Sequence, residues 1–216
     1  KKQIQNSLLQ SERNLKKIIE RTTEKKGQEY MDAMVLTLNE VAQAKFTFIG
    51  ELISDTFIRT IALSGEGKIL DNFDYNLQGT PCKEVLSDKI CYYKDHVTEL
   101  FPDDQLLIDM GIVGYIGKRL KNEEGITIGI LVSLYDKPII DESYVSSIFG
   151  LFAASIEMEI EKVKYQNALK RSEQHNKNTI SALDNAALVS RTNLKGVITH
   201  VNKKFIEVSE YSQKEL

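Results

Sequence analysis

The apolar spacing of this chain changes twice, and those two changes limit the folds open to it. From residue 1 to about residue 44 the pattern is helical. Ile4, Leu8, Ser11, Leu15, Ile18 and Thr22 repeat at 4-3-4-3-4 and give a single narrow seam. After Gly27 the stretch QEYMDAMVLTLNEVAQA sets Met31, Met34, Val35, Leu38 and Val41 on one wider face, as in a helix packed on a sheet. From Phe46 the residues become β-branched and aromatic: FTFIGELIS and TFIRTIAL, then a glycine turn in SGEGK, predict two antiparallel strands. VGYIGKRLK and ITIGILVSLY flank NEEG, a hairpin loop whose Gly accepts positive φ. FPDDQLLIDM predicts a short helix with Pro102 near its first position and Asp103 and Asp104 in its first turn. Helical spacing returns near Asp141, with Val145, Ile148, Phe149, Phe152, Ile156, Ile160 and Val163 recurring at 3 and 4. Helix, strands, helix in this order predict an α+β domain built on an antiparallel sheet.

Charge is segregated along the chain. Residues 1 to 30 carry 8 Lys+Arg against 4 acids, whereas residues 31 to 141 carry 10 against 18. An acidic central surface repels phosphate backbones, so no nucleic-acid role is expected there. The longest largely apolar run, Ile148–Ile156, is far shorter than the roughly 20 residues a membrane helix needs. The first residues lack a signal-peptide core and an initiating Met, so the chain reads as an internal fragment. Two cysteines make no disulfide framework and point to a reducing cytoplasm, with any membrane anchor elsewhere in the full-length protein.

The stretch GTPCKEVLSDKICYYKDHVTELFPDD holds both cysteines and His96. Three readings compete for it. Zinc would need four ligands, commonly with close C-x(2-4)-C spacing, but Cys82, Cys91 and His96 are separated by nine and five, so no metal site is expected. A nucleophile would need an activated thiolate, and neither Cys82 nor Cys91 has a local activating feature. Burial as small hydrophobes, or as part of a pocket wall, is what remains. Tyr75, Tyr92, Tyr93, Phe101, Tyr115 and Tyr135, with Cys82 and Cys91, are the candidate pocket residues. A short helix over Lys83–Leu86 would offer amides to an anionic group.

Two families are suggested by particular motifs. The block from Phe46 to Ile139, with DNFDYNLQGTPCKEV, CYYKDHV, ELFPDD, GYIGKRL and GILVSLYDKP in order, resembles a GAF domain of bacterial multidomain sensors. Residues 184 to 216 resemble the opening of a PAS domain through Asp184, Ala186, Ser190, Thr192, Gly196, Ile198, Val201 and Asn202. Over that stretch a strand, an NLKG turn, a strand and a helix from about Asn202 are expected. The segment ALKRSEQ at 168–174 repeats SLLQSER at 7–13, as two copies of one helical connector would.

The resemblance implies a six-stranded antiparallel sheet backed by helices, a small-molecule pocket on its other face, and a homodimer joined through the flanking helices. The organisation expected is a connector helix over 1–26, a GAF domain over 27–140, a signalling and dimerisation helix over 141–181, and the start of a PAS domain over 182–216. In the dimer, Val145, Ile148, Phe149, Phe152, Ile156 and Val163 would form the strong part of the seam. In similar proteins such modules precede a histidine kinase or diguanylate cyclase domain of a signal-transduction system. Neither signature occurs in this sequence, so the fragment itself is not expected to be an enzyme, and His175, in HNKN, lacks the context of a phosphoacceptor. Bilin-carrying relatives have Cys followed by His, whereas Lys83 follows Cys82 and Tyr92 follows Cys91. The Asn-Lys-x-x-x-Phe motif of cyclic-nucleotide binders is represented only by DNFDYN. The cofactor or ligand is therefore unknown, and three functions stay open: small-molecule or redox sensor, ligand-free dimerisation module, and enzyme with a Cys91 nucleophile.

Overall fold

The computed structural model describes residues 12–13, 16–86 and 90–211. Seam positions Ile4, Leu8, Ser11 and Leu15 lie outside them. The chain divides into two units, Lys1–Val163 and Lys164–Leu216, each described by itself.

In the first unit, helical residues 16–22 precede α1 (Gln28–Ala42). Strands β1 (Phe46–Ser54) and β2 (Phe57–Gly65) pair antiparallel, followed by β3 (Lys68–Ile69) and β4 (Asp74–Asn76). Short helix α2 (Pro81–Val85), strand β5 (Cys91–Tyr93), and short helices α3 (Val97–Leu100) and α4 (Gln105–Asp109) fill the middle. The hairpin β6 (Gly114–Lys121) and β7 (Thr127–Tyr135) leads into α5 (Glu142–Ala186). The sheet order is β3-β2-β1-β7-β6-β5, with β4 also on β2. Seven strands thus stand where six are expected, because β3 takes the Ser64–Gly65 end of β2 and β4 takes the Phe57–Arg59 end. The Asn122–Gly125 loop closes with Gly125 at φ 78°, the conformation its glycine permits.

Alternation along the strands divides the core into two layers. Ile49, Ile116, Leu120 and Leu131 face α1 and α5, whereas Phe48, Tyr115, Ile130 and Val132 face α2, α4 and the loops. On the helix side, α1 contributes its expected face, Met31, Met34, Val35, Leu38 and Val41. Ser64 anchors α1 to the sheet by donating its hydroxyl to Val35 O at 3.0 Å.

The same layer contains most of the residues expected in the dimer seam. Val145, Ile148, Phe149, Phe152 and Ile156 are all buried against α1 and the sheet, at no more than 5% exposure, and Val163 is half-buried. A 3-and-4 spacing is shared by a helix packed on a sheet and by a coiled-coil seam. Here the chain's own core uses it.

Two short helices also begin elsewhere than expected. The helix after GTP starts at Pro81, whose missing N–H costs nothing at a first helical position. The one after FPD starts at Gln105, because the Asp104 side chain accepts the Leu107 N–H at 3.3 Å and so acts as N-cap, leaving Pro102 and Asp103 in the preceding turn.

In the second unit, β8 (Ser190–Thr192) and β9 (Ile198–Val201) form an antiparallel hairpin, and α6 (Lys203–Ser209) follows. Asn202 is their joint. Its Oδ1 accepts from Val189 N and Phe205 N, both at 3.0 Å, while its Nδ2 donates to Asp184 O at 2.8 Å and Ala187 O at 2.7 Å. The side chain therefore closes the end of α5 and opens α6 with no polar atom unsatisfied. Among the described residues no helix is long and apolar enough to cross a membrane.

Candidate functional site

The sheet face opposite α1 and α5 carries most of the candidate pocket residues. Tyr75, Cys82, Cys91, Tyr93, Phe101 and Tyr115 all belong to this loop-side layer. Tyr92 and Tyr135 do not: they pack with the helix-side layer, Tyr92 donating its hydroxyl to Ile139 O at 3.4 Å. Strand parity is the reason, since Tyr92 sits between Cys91 and Tyr93 on β5, and Tyr135 follows Leu134 on β7. Tyr135 is 3% exposed and its hydroxyl has no hydrogen-bond partner among the described residues.

On the loop side two polar pairs are embedded among apolar groups. Tyr115 donates its hydroxyl to Cys82 Sγ at 3.2 Å, with both side chains fully buried. This fit depends on Gly117: a Cβ there would lie 2.6 Å from both the Tyr115 oxygen and Val85 Cγ2. Tyr75 donates to the Asp104 carboxylate, which is 3% exposed. Desolvation raises the Asp104 carboxyl above its ordinary value, opposed by the bonds from Tyr75 and the α4 amides. The Tyr75 phenol is raised by burial and then by the neighbouring Cys82 and Asp104. Tyr93 donates to Glu84 and stacks edgewise on Phe101 at 5.3 Å between ring centres.

Neither cysteine has the environment of a nucleophile. Burial pushes the Cys82 thiol up to about 12, and burial followed by the Glu84 charge also raises Cys91. His96 is 65% exposed beside Asp95, its Nδ1 3.4 Å from the carboxylate, on the helix-opening turn rather than over either thiol. Among the described residues no group of three His, Cys, Asp or Glu side chains converges as metal ligands would.

The space enclosed here is small. A cavity of about 10 Å³ is lined by apolar residues that include Phe46, Phe48, Phe73 and Met110, and by Tyr75 and Cys82. It is about large enough for one water molecule. Sequence reasoning missed Phe46, Phe48, Phe73 and the α4 residues as lining. The alternation Phe48/Ile49 was a usable signal for Phe48, whereas α4 reaches the cavity only through tertiary folding. A larger groove of about 530 Å³ opens on the other side, between the C-terminal end of α1 and the β7–α5 connection, where Tyr135, Tyr144, Lys137 and Glu40 are found.

No family model matches the chain, and no curated protein matches it. Solved structures do. The GAF domain of an Acinetobacter phosphoenolpyruvate-protein phosphotransferase aligns at TM-score 0.57 and 13% identity, over 74% of this chain and 98% of that one. The chromophore-binding domain of an unusual bacteriophytochrome from R. palustris aligns at 0.59 and 12%, over 72% and 61%. That of Stigmatella aurantiaca phytochrome P1 aligns at 0.54 and 10%, over 68% and 58%. The chain spans about three fifths of the length of these two phytochrome chains. An antiparallel sheet carrying helices on one face and short helices with loops on the other, shared with these structures at such low identity, gives this chain the GAF-type fold.

Proposed function

We propose that the first unit is a sensory and regulatory domain whose input site is the loop-side cavity and whose output element is α5. The observation that carries the reading is the lining itself: an apolar wall in which Tyr75 and Cys82 carry the polar groups, each bonded to a buried partner behind it, Asp104 and Tyr115, is compatible with a small-molecule site. α5 suits the output role because its first turns belong to the core of the first unit while its later turns are exposed. The fold shared with sensor domains supports this reading.

Homodimerisation is part of the proposal, along a seam different from the buried one. Met158, Tyr165, Leu169, Ile180 and Leu183 are exposed on α5 and spaced by 7, 4, 11 and 3, each close to whole helical turns. We assign residues 182–216 to the opening of a PAS domain and the output to a histidine kinase or diguanylate cyclase of the full-length protein. The cytoplasm is the expected compartment.

A ligand-free dimerisation module is the second reading, and the cavity's small volume favours it, since drug-sized ligands occupy sites of about 300–1,000 Å³. Native mass spectrometry of the purified chain separates the two. A dimer with a defined extra mass supports the sensor, a dimer without one supports the module, and a monomer without retained mass removes both as stated.

A further inference from the structure

The inference concerns the ligand class and gating of the loop-side cavity, and it rests on the sensory reading of that site. Helix α4 forms one wall through Leu106 and Leu107, with Met110 following at its C-cap. It is held at both ends by polar bonds from the sheet. At its N-cap, Asp104 receives the Tyr75 hydroxyl from the middle of β4, where Tyr75 pairs with Ile58 of β2. At its C-cap, Lys45 Nζ donates to Met110 O at 2.8 Å, while the same ammonium lies 5.7 Å from the centre of the Phe46 ring. A cation on a helix's terminal carbonyl also matches the sign of the helix dipole. Between these two fastenings everything α4 presents to the cavity is apolar.

The lining fixes what could enter. Its polar atoms, the Tyr75 hydroxyl and the Cys82 thiol, already have partners in Asp104 and Tyr115. Among the described residues no Lys or Arg lines the cavity, so a phosphate or carboxylate would be buried there without a counter-charge from them. An apolar molecule meets no such penalty, and dry cavities lined by Leu, Ile and Phe accept benzene or xenon. Met110 adds an adaptable wall, because an unbranched thioether side chain repacks readily. A five-residue helix tied by two bonds is a small unit to displace, and local opening draws on segments of that kind.

We propose that the cavity receives a small uncharged apolar molecule, of the size of one or two aromatic rings, when α4 lifts, and that Tyr75–Asp104 and Lys45–Met110 are the latches that keep it shut. Removing a latch raises the population of the open state and therefore the apparent affinity.

The test uses the full chain with ¹³C-labelled methyls and two probes, indole and cyclic GMP. Indole is expected to shift the Met110 and Leu107 methyl resonances saturably, and cyclic GMP to leave them in place. Tyr75→Phe is expected to tighten indole binding by about fivefold or more, the change that a weakened closed state gives. Lys45→Met, which keeps most of the stem, tests the second latch and serves if Tyr75→Phe does not fold. Saturable shifts with cyclic GMP, with or without indole, overturn the apolar class while leaving the pocket reading in place. Silence with both probes overturns the pocket reading itself. Indole binding of unchanged affinity in both variants overturns the latches.

Discussion

The Glu159 carboxylate on α5 accepts the Gly27 N–H at 3.2 Å, tying the long helix to the residue that opens α1. Its second oxygen holds Lys162 Nζ at 2.6 Å, and the side chain is nearly buried. Two residues earlier on the same helix, Glu157 Oε1 accepts the Lys121 N–H at 2.8 Å from the end of β6. Two carboxylates two residues apart therefore report on two different elements, the start of α1 and the β6–β7 hairpin.

Removing the Glu159 acceptor leaves a partly buried amide unpaired, at a cost of about 1–3 kcal/mol. Glu159→Ala is expected to lose that much stability in denaturant unfolding and to speed hydrogen exchange at the Gly27 amide, whereas Glu159→Gln keeps an acceptor and changes both less. Exchange at Gly27 that is equal in wild type and Glu159→Ala would mean that the bond does not hold α1 in solution.

The thiols offer a second check. With its thiol pushed up to about 12, Cys82 is almost wholly protonated at pH 8, and it is also 2% exposed. Iodoacetamide at that pH is expected to label Cys91 slowly and Cys82 only on unfolding, with Cys82 at least about a thousandfold below a free cysteine peptide. Labelling of Cys91 at pH 6 faster than the free peptide would instead revive the nucleophile reading.

β1, β2, β6 and β7 were legible because each is eight or nine residues long, enough for alternation and a glycine turn to register. β3, β4 and β5 have two or three residues, too few for any period, so the sharing of one edge by β3 and β4 could not be read. The same brevity hid the parity of β5, and with it the placement of Tyr92 away from Cys91 and Tyr93. Helix spacing identified α5 but not its partner, since Phe149 and Phe152 satisfy a sheet-packing face and a coiled-coil seam equally. The closure of the cavity by Leu107 and Met110 is a matter of volume, which residue types alone do not determine.

Asp104 predicts a pH effect of definite sign. Burial raises its folded carboxyl above the unfolded value, so the native state binds the proton more tightly. That contribution to stability is fully present below the unfolded value of about 3.9 and is lost as pH rises through the folded value. Asp104→Asn, which keeps an oxygen for the Leu107 N–H, is expected to flatten this part of the stability profile between the two values. The measurement is chemical denaturation from about pH 4 to pH 7 for both proteins. Parallel profiles would show that Asp104 titrates at its ordinary value.

The two faces of α5 should respond to substitution in opposite ways. Phe152 is completely buried against α1 and the sheet, whereas Leu169 is 62% exposed on the ridge with Tyr165. Phe152→Ala is expected to lose about 3–5 kcal/mol through lost transfer and a cavity. Leu169→Glu should alter the stability of the first unit by less than about 0.5 kcal/mol, the usual range for a surface change. If the exposed ridge pairs two chains, the same substitution places two carboxylates across the seam and shifts the chain to a monomer in analytical ultracentrifugation. A wild-type dimer that survives Leu169→Glu and Tyr165→Glu together would place the interface away from this part of the ridge.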